Sequence, residues 1–242
     1  MNQICSLCDE SKPLIAAHII PEFFYKILGL YGNNSGQGRI KKATIVNHEF
    51  HINKKGIPLG IYDNNILCKE CDNFINKEYE NYSKSLLFDT SGTNVELSNE
   101  LIIFKGIDYI KFKLFVLSIF WRASISIRPE FKNIKLQLEI ENKLKSLIKN
   151  KDSVKPSEFS VITCFLYAPQ LLSNTISDIM TFNNNGVLTY AFFAGGLLFY
   201  LYNDLSNVPE NLLPYVLNDN GNLTLLKIPE KRSIEILKMF YS

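Results

Sequence analysis

The chain has 242 residues, 46% hydrophobic and 21% charged, which is ordinary for a globular protein and enough to bury a real core in one large domain or two small ones. A formal charge of +2 excludes a strong overall field toward nucleic acid, so any such binding must rest on local patches. No basic segment followed by an apolar one opens the sequence, which predicts no signal peptide, and the cysteine usage fits a reducing, cytoplasmic setting.

In chain order, the first feature is the pair Cys5 and Cys8. A strand-like run over 14–20 follows, ending in Ala17-His18-Ile19-Ile20 and closed by Pro21. Residues 22–30 suit a short helix. From 31 to 60 the chain is rich in Gly, Asn and Lys, with one strand candidate over 43–52 that carries His48 and His51. Arg39, Lys41, Lys42, Lys54 and Lys55 in this stretch are of a kind that grips backbone phosphates. The second pair, Cys68 and Cys71, leads into a helical stripe of Ile75, Tyr79, Tyr82 and Leu86. Asp72 and Asn76, four residues apart, fall on one flank of that stripe.

Two Cys-x-x-Cys pairs, a knuckle followed later by a pair on a helix start, have the layout of a treble-clef zinc site. Cys5, Cys8, Cys68 and Cys71 would fill all four positions of a tetrahedral Zn²⁺, so the ion would be a scaffold and do no chemistry. Four thiolates around one divalent ion add −2, which brings the metallated chain near zero charge. Cys164 lies in a β-like run and reads as core.

A different unit is expected from about residue 91, dividing the chain into 1–90 and 91–242. Residues 107–127 are apolar on nearly all faces, the mark of a buried helix, and Lys111, Lys113 and Arg122 argue against a membrane span. The apolar run over 187–202 falls short of the roughly 20 residues a span needs. Ser118, Arg122 and Ser126 repeat every four residues as one line, and a buried arginine requires a partner, a carboxylate before a phosphate. An exposed helix is predicted over 133–150, with Glu139–Lys143 and Glu141–Lys145 pairs. Strands follow over 159–167, 188–194, 197–202 and 223–228, with Gly195-Gly196 as a hairpin turn, then a helix over 233–241. The expected fold class is α+β: a treble-clef zinc unit, then an α+β domain with a buried helix and an antiparallel sheet.

The segments Cys5-x-x-Cys8, Ala17-His18-Ile19-Ile20-Pro21 and Asp63-Asn64-Asn65-Ile66-Leu67-Cys68-Lys69-Glu70-Cys71-Asp72 resemble the HNH endonuclease family in its zinc-stabilised form. They are similar also to uncharacterised bacterial proteins that share the His-Ile-Ile-Pro segment and a Tyr-Glu-x-Tyr segment, here Tyr79-Glu80-Asn81-Tyr82. The resemblance covers about the first 85 residues. It implies that His18 is a general base activating water against a phosphodiester. It also implies a catalytic Mg²⁺ or Mn²⁺ beside that histidine, held by Asp72 with help from Asp63 or Asn76, where oxygen ligands suit the ion. Asp63, ahead of Asn64 and Asn65, takes the part of the residue that orders the loop before the helix. Nucleic acid, DNA ahead of RNA, would be the partner, touched by Lys41, Lys42, Lys54 and Lys55. The C-terminal unit would select the target or a protein partner, with a role in bacterial defence and no membrane association. Many family members carry an acidic residue or histidine immediately before the base, and here that residue is Ala17. That departure supports a second reading, a catalytically degenerate zinc-binding module that recognises nucleic acid or a protein partner.

Overall fold

The computed structural model describes residues 2–28, 43–46, 49–52, 60–89, 94–167, 176–184 and 186–241, with backbone alone over 43–46, 49–52, 184 and 241. The architecture is mixed α+β. Near the N-terminus, β1 (Gln3–Ile4) and β2 (Ser11–Lys12) pair as a hairpin whose loop carries Cys5 and Cys8. The chain then runs back along the segment before the second cysteine pair. Ile15 N donates to Leu67 O at 3.0 Å, and Leu14 bridges Cys68.

The strand expected over 14–20 condenses to β3 (Ala17–His18), paired antiparallel with β6 (Tyr62–Asp63). Pro21 ends it and leads into α1 (Glu22–Ile27). The single strand expected over 43–52 is instead a hairpin, β4 (Ala43–Val46) with β5 (Glu49–Ile52). His48 lies outside the described residues, and of His51 the backbone alone is described. The second cysteine pair opens α2 (Lys69–Ile75), which passes through a π turn (Asn76–Glu80) and continues as α3 (Asn81–Phe88). The predicted stripe faces inward at Ile75, Tyr79 and Leu86, and Tyr82 is half-buried.

The C-terminal half is organised by α4 (Tyr109–Ile125), capped where the Asp108 carboxylate accepts from Lys111 N at 3.0 Å. Its residues are apolar on nearly every side, so a central position covers them best, and 14 of its 17 residues are buried. Even Lys113 is enclosed, donating to Tyr109 Oη at 3.0 Å and Lys155 O at 2.6 Å. A seven-stranded sheet covers this helix, in the order β10 (Met180–Asn184), β11 (Val187–Ala194), β12 (Leu197–Asp204), β9 (Glu158–Leu166), β13 (Asn222–Ile228), β8 (Leu101–Lys105), β7 (Asn94–Leu97). Five neighbouring pairs are antiparallel and one, β13 with β9, is parallel, a correction to the all-antiparallel expectation. Gly195 and Gly196, at φ 61° and 82°, make the predicted turn between β11 and β12, since both central positions of a primed hairpin turn need positive φ.

Helix α5 (Leu138–Asn150) is less exposed than expected and buries Leu144, Leu147 and Ile148. Its charges are spent on other elements and not along its own face. Lys143 pairs with Glu158 at 3.3 Å, Lys145 with Asp9, and Glu141 accepts from Ser124 Oγ at 3.0 Å. The chain ends in α6 (Glu230–Tyr241). One buried apolar cluster runs from Cys5 and Leu7 through α4 to Leu225, so residues on both sides of position 90 share a core. Among the described residues, no helix is long and apolar enough to cross a membrane.

Candidate metal centre and the histidine beside it

The two short ladders bring the four cysteines together. Their sulfurs all lie within 4.8 Å of one another, with Cys8 Sγ 4.0 Å from Cys68 Sγ. Ser6 N donates to Ile66 O at 2.9 Å and Cys68 N donates to Cys5 Sγ at 3.3 Å, which ties the first loop to the helix start. Burial pushes the Cys68 thiol up to about 11 and the Cys71 thiol higher still. Burial acts the same way on Cys5, but hydrogen bonds from the backbone of Cys8, Cys68 and Leu7 outweigh it and bring that thiol down to about 7. Four crowded sulfurs of this kind cannot all ionise without a compensating cation, and such a set can hold a structural metal such as zinc. Among the described residues this is the one group of three or more Cys, His, Asp or Glu side chains arranged for a metal.

His18 stands at the end of β3, half-buried, with its ring centroid 6.1 Å from that of Tyr25 and 6.3 Å from that of Tyr62. Asp72 is on the first turns of α2, directly after the last cysteine. It feels the charges of Arg122 and His18 as attraction and that of Glu22 as repulsion, while desolvation dominates and holds its carboxyl above the usual range. No hydrogen bond or ion pair from a described residue reaches that carboxylate, although it is only partly open to solvent. His18 and Asp72 thus share one electrostatic neighbourhood.

Asp63, one of the two residues expected to help Asp72 hold an ion, instead has both carboxylate oxygens engaged by protein donors. Its Oδ1 accepts from Asn65 N at 2.8 Å and Asn65 Nδ2 at 3.1 Å, and its Oδ2 from Ser126 Oγ at 2.7 Å and Ile127 N at 3.2 Å. Asn76 falls in the π turn, is exposed, and donates to Glu80 Oε2 at 3.4 Å. Lys41, Lys42, Lys54 and Lys55 lie outside the described residues, as does Arg39.

Sequence reasoning asked for a partner to Arg122 and did not identify it. It is Glu80: Arg122 Nη2 and Glu80 Oε1 are 2.8 Å apart with both side chains almost wholly buried. Burial pushes the Glu80 carboxyl up, against the pull of the guanidinium. The same guanidinium donates from Nε to Ser118 O at 3.2 Å and from Nη1 to His18 O at 2.7 Å. The signal was present in the Tyr-Glu-x-Tyr segment, since each of its three side chains reaches the C-terminal half. Tyr79 Oη donates to Ile148 O at 2.6 Å, and Tyr82 Oη accepts from Asp108 N at 2.6 Å.

Compared with family models, curated proteins and solved structures, the chain matches none.

Proposed function

We propose that the protein is a metal-dependent endonuclease of HNH type, with a treble-clef unit held by Zn²⁺ on Cys5, Cys8, Cys68 and Cys71. The observation that carries this reading is the half-buried carboxylate of Asp72, one residue past the cysteine group, which no hydrogen bond or ion pair from a described residue reaches and which feels the charge of His18. A desolvated carboxylate with no hydrogen bond from a described residue is costly to keep, and a hard divalent cation such as Mg²⁺ or Mn²⁺ suits its oxygens. When bound, that cation supplies charge stabilisation for the scissile phosphate and its leaving oxygen.

The chain's own groups do the rest. His18 Nε2 or Nδ1 accepts a proton from water as the water oxygen forms its bond to phosphorus, and the bond from phosphorus to the leaving oxygen breaks. Asp72 must be ionised to hold a cation, so cation loading increases as pH rises through its elevated pKa. Asp63 takes the loop-ordering role, since all its contacts are with protein groups that fix residues 63–65 against the end of α4. Nucleic acid is the proposed partner, DNA ahead of RNA.

The test is cleavage of plasmid DNA and of RNA with Mg²⁺ or Mn²⁺ by the parent, His18→Ala and Asp72→Asn. Loss of cutting by on the order of a hundredfold or more in both variants, with metal content on the cysteines unchanged, is the expected result. Undiminished cutting by His18→Ala removes the general-base role. A competing reading, a binding module without catalysis, draws support from Ala17, which is buried and has no ligand atom. It predicts nucleic-acid or protein binding with no cleavage under any of these conditions.

A further inference from the structure

We infer that Arg122 is a positioning residue for His18, so that the C-terminal half builds the candidate site and is not merely attached to it. For activity, this inference rests on the nuclease reading above; for geometry it does not. The ladder of β3 with β6 is only two residues long, which by itself is a weak hold on a side chain that must be aimed. Both strands of that ladder are gripped by the same polar line on α4. Arg122 takes the carbonyl of His18 at 2.7 Å, while Ser126 Oγ takes the carboxylate of Asp63, the residue paired with Ala17, at 2.7 Å. Ser118 closes the line by offering its carbonyl to Arg122 Nε.

The choice of residue is informative. Arginine is the side chain whose planar fork reaches three acceptors on three elements at once, here the carbonyls of Ser118 and His18 and the carboxylate of Glu80. A buried ion pair is a poor device for stability, since apolar side chains of similar volume do as well. Its better-attested use is to fix one geometry among several, and the geometry fixed here is the end of β3. Glu80 is itself located by the π turn, which turns that carboxylate toward α4 and away from the solvent face.

The experiment compares the full chain with Arg122→Lys and with the paired swap Glu80→Met/Arg122→Met. Arg122→Met alone would strand a buried carboxylate and unfold the protein. The swap removes both charges and keeps the volume, and the lysine variant keeps the charge opposite Glu80 while losing the fork. Two readouts are taken at unchanged cysteine-bound metal: the imidazole resonances of His18, assigned by their absence in His18→Gln, and the split of cleavage into kcat and KM. The expected result is a shifted or broadened His18 signal in both variants, with kcat lower by on the order of a hundredfold and KM within about twofold. Parental His18 signals in both variants overturn the positioning role, whatever the activity. Displaced His18 signals in the variants of a parent that cuts nothing uphold the positioning and remove the nuclease reading instead.

Discussion

Asp72 is a residue whose cost to the fold is the clearest support for the use proposed for it. Its carboxyl sits above its ordinary pKa of 3.8 because of burial, relieved only in part by Arg122 and His18. Below the unfolded pKa both states are protonated and nothing is lost. Between the unfolded value and the elevated folded one, stability is lost as pH rises, and above the folded value the whole penalty stands. Asp72→Asn is therefore expected to stabilise the protein at pH 7 by about 1 kcal/mol and to change nothing near pH 3, measured by denaturant unfolding at both pH values. Added Mg²⁺ should raise the melting temperature of the parent and not that of the Asn variant. A destabilised Asn variant at pH 7 would mean that the carboxylate has a structural partner. Much at this scale was legible in advance. The spacing of Cys5, Cys8, Cys68 and Cys71 pointed to a metal group, and Arg122 in an apolar helix called for a carboxylate. What the residues could not give was which carboxylate, because Glu80 is 42 positions away and its orientation depends on the packing of two helices.

The elements around the site are short, and their connections carry the precision. Gly60 enters β6 at φ +80°, and a Cβ there would stand 2.8 Å from Tyr25 Cε2. Only glycine lets the backbone pass so close to that ring, whose hydroxyl accepts from Ile61 N at 3.2 Å. Gly60→Ala is expected to cost about 1–3 kcal/mol in thermal unfolding and to displace the His18 ring signals, since Tyr25 is its neighbour. A variant as stable as the parent would show that α1 can move aside. The helix after Cys71 marks the reach of a spacing pattern. Steps of four, three and four found the buried stripe, but a π turn adds a residue to one turn and so rotates the helix beyond it. Asn76, expected beside Asp72, is exposed at the start of that turn and donates to Glu80. The surface pairs expected on α5 failed for a different reason: Lys143, Lys145 and Glu141 satisfy charges and hydroxyls on other elements, which spacing within one helix cannot reveal.

At the scale of the whole molecule, the common apolar cluster and the polar line of α4 join the two halves that composition had separated. Unfolding is therefore expected as one cooperative transition. Trp121, the single tryptophan, is buried on α4 and reports the shared core, while far-UV dichroism reports all elements. The two signals should coincide in denaturant, and Cys68→Ser, or a chelator if the cysteines hold the proposed metal, should move both midpoints together. Two separated transitions would support the division near residue 90.

The parallel strand has a consequence for how the polypeptide matures. Without β13, the β7–β8 hairpin has no bond to the four strands β9 to β12, because β13 alone lies between them. Its partner residues, such as Lys105 opposite Asn222, are more than a hundred positions apart. During synthesis the hairpin and β9 must wait with open edges until the ribosome has released residues 222–228, and open edges invite pairing with other chains. The segment that joins the two parts of the sheet is thus a keystone made after every strand it connects, and chains cut short before it are expected to aggregate.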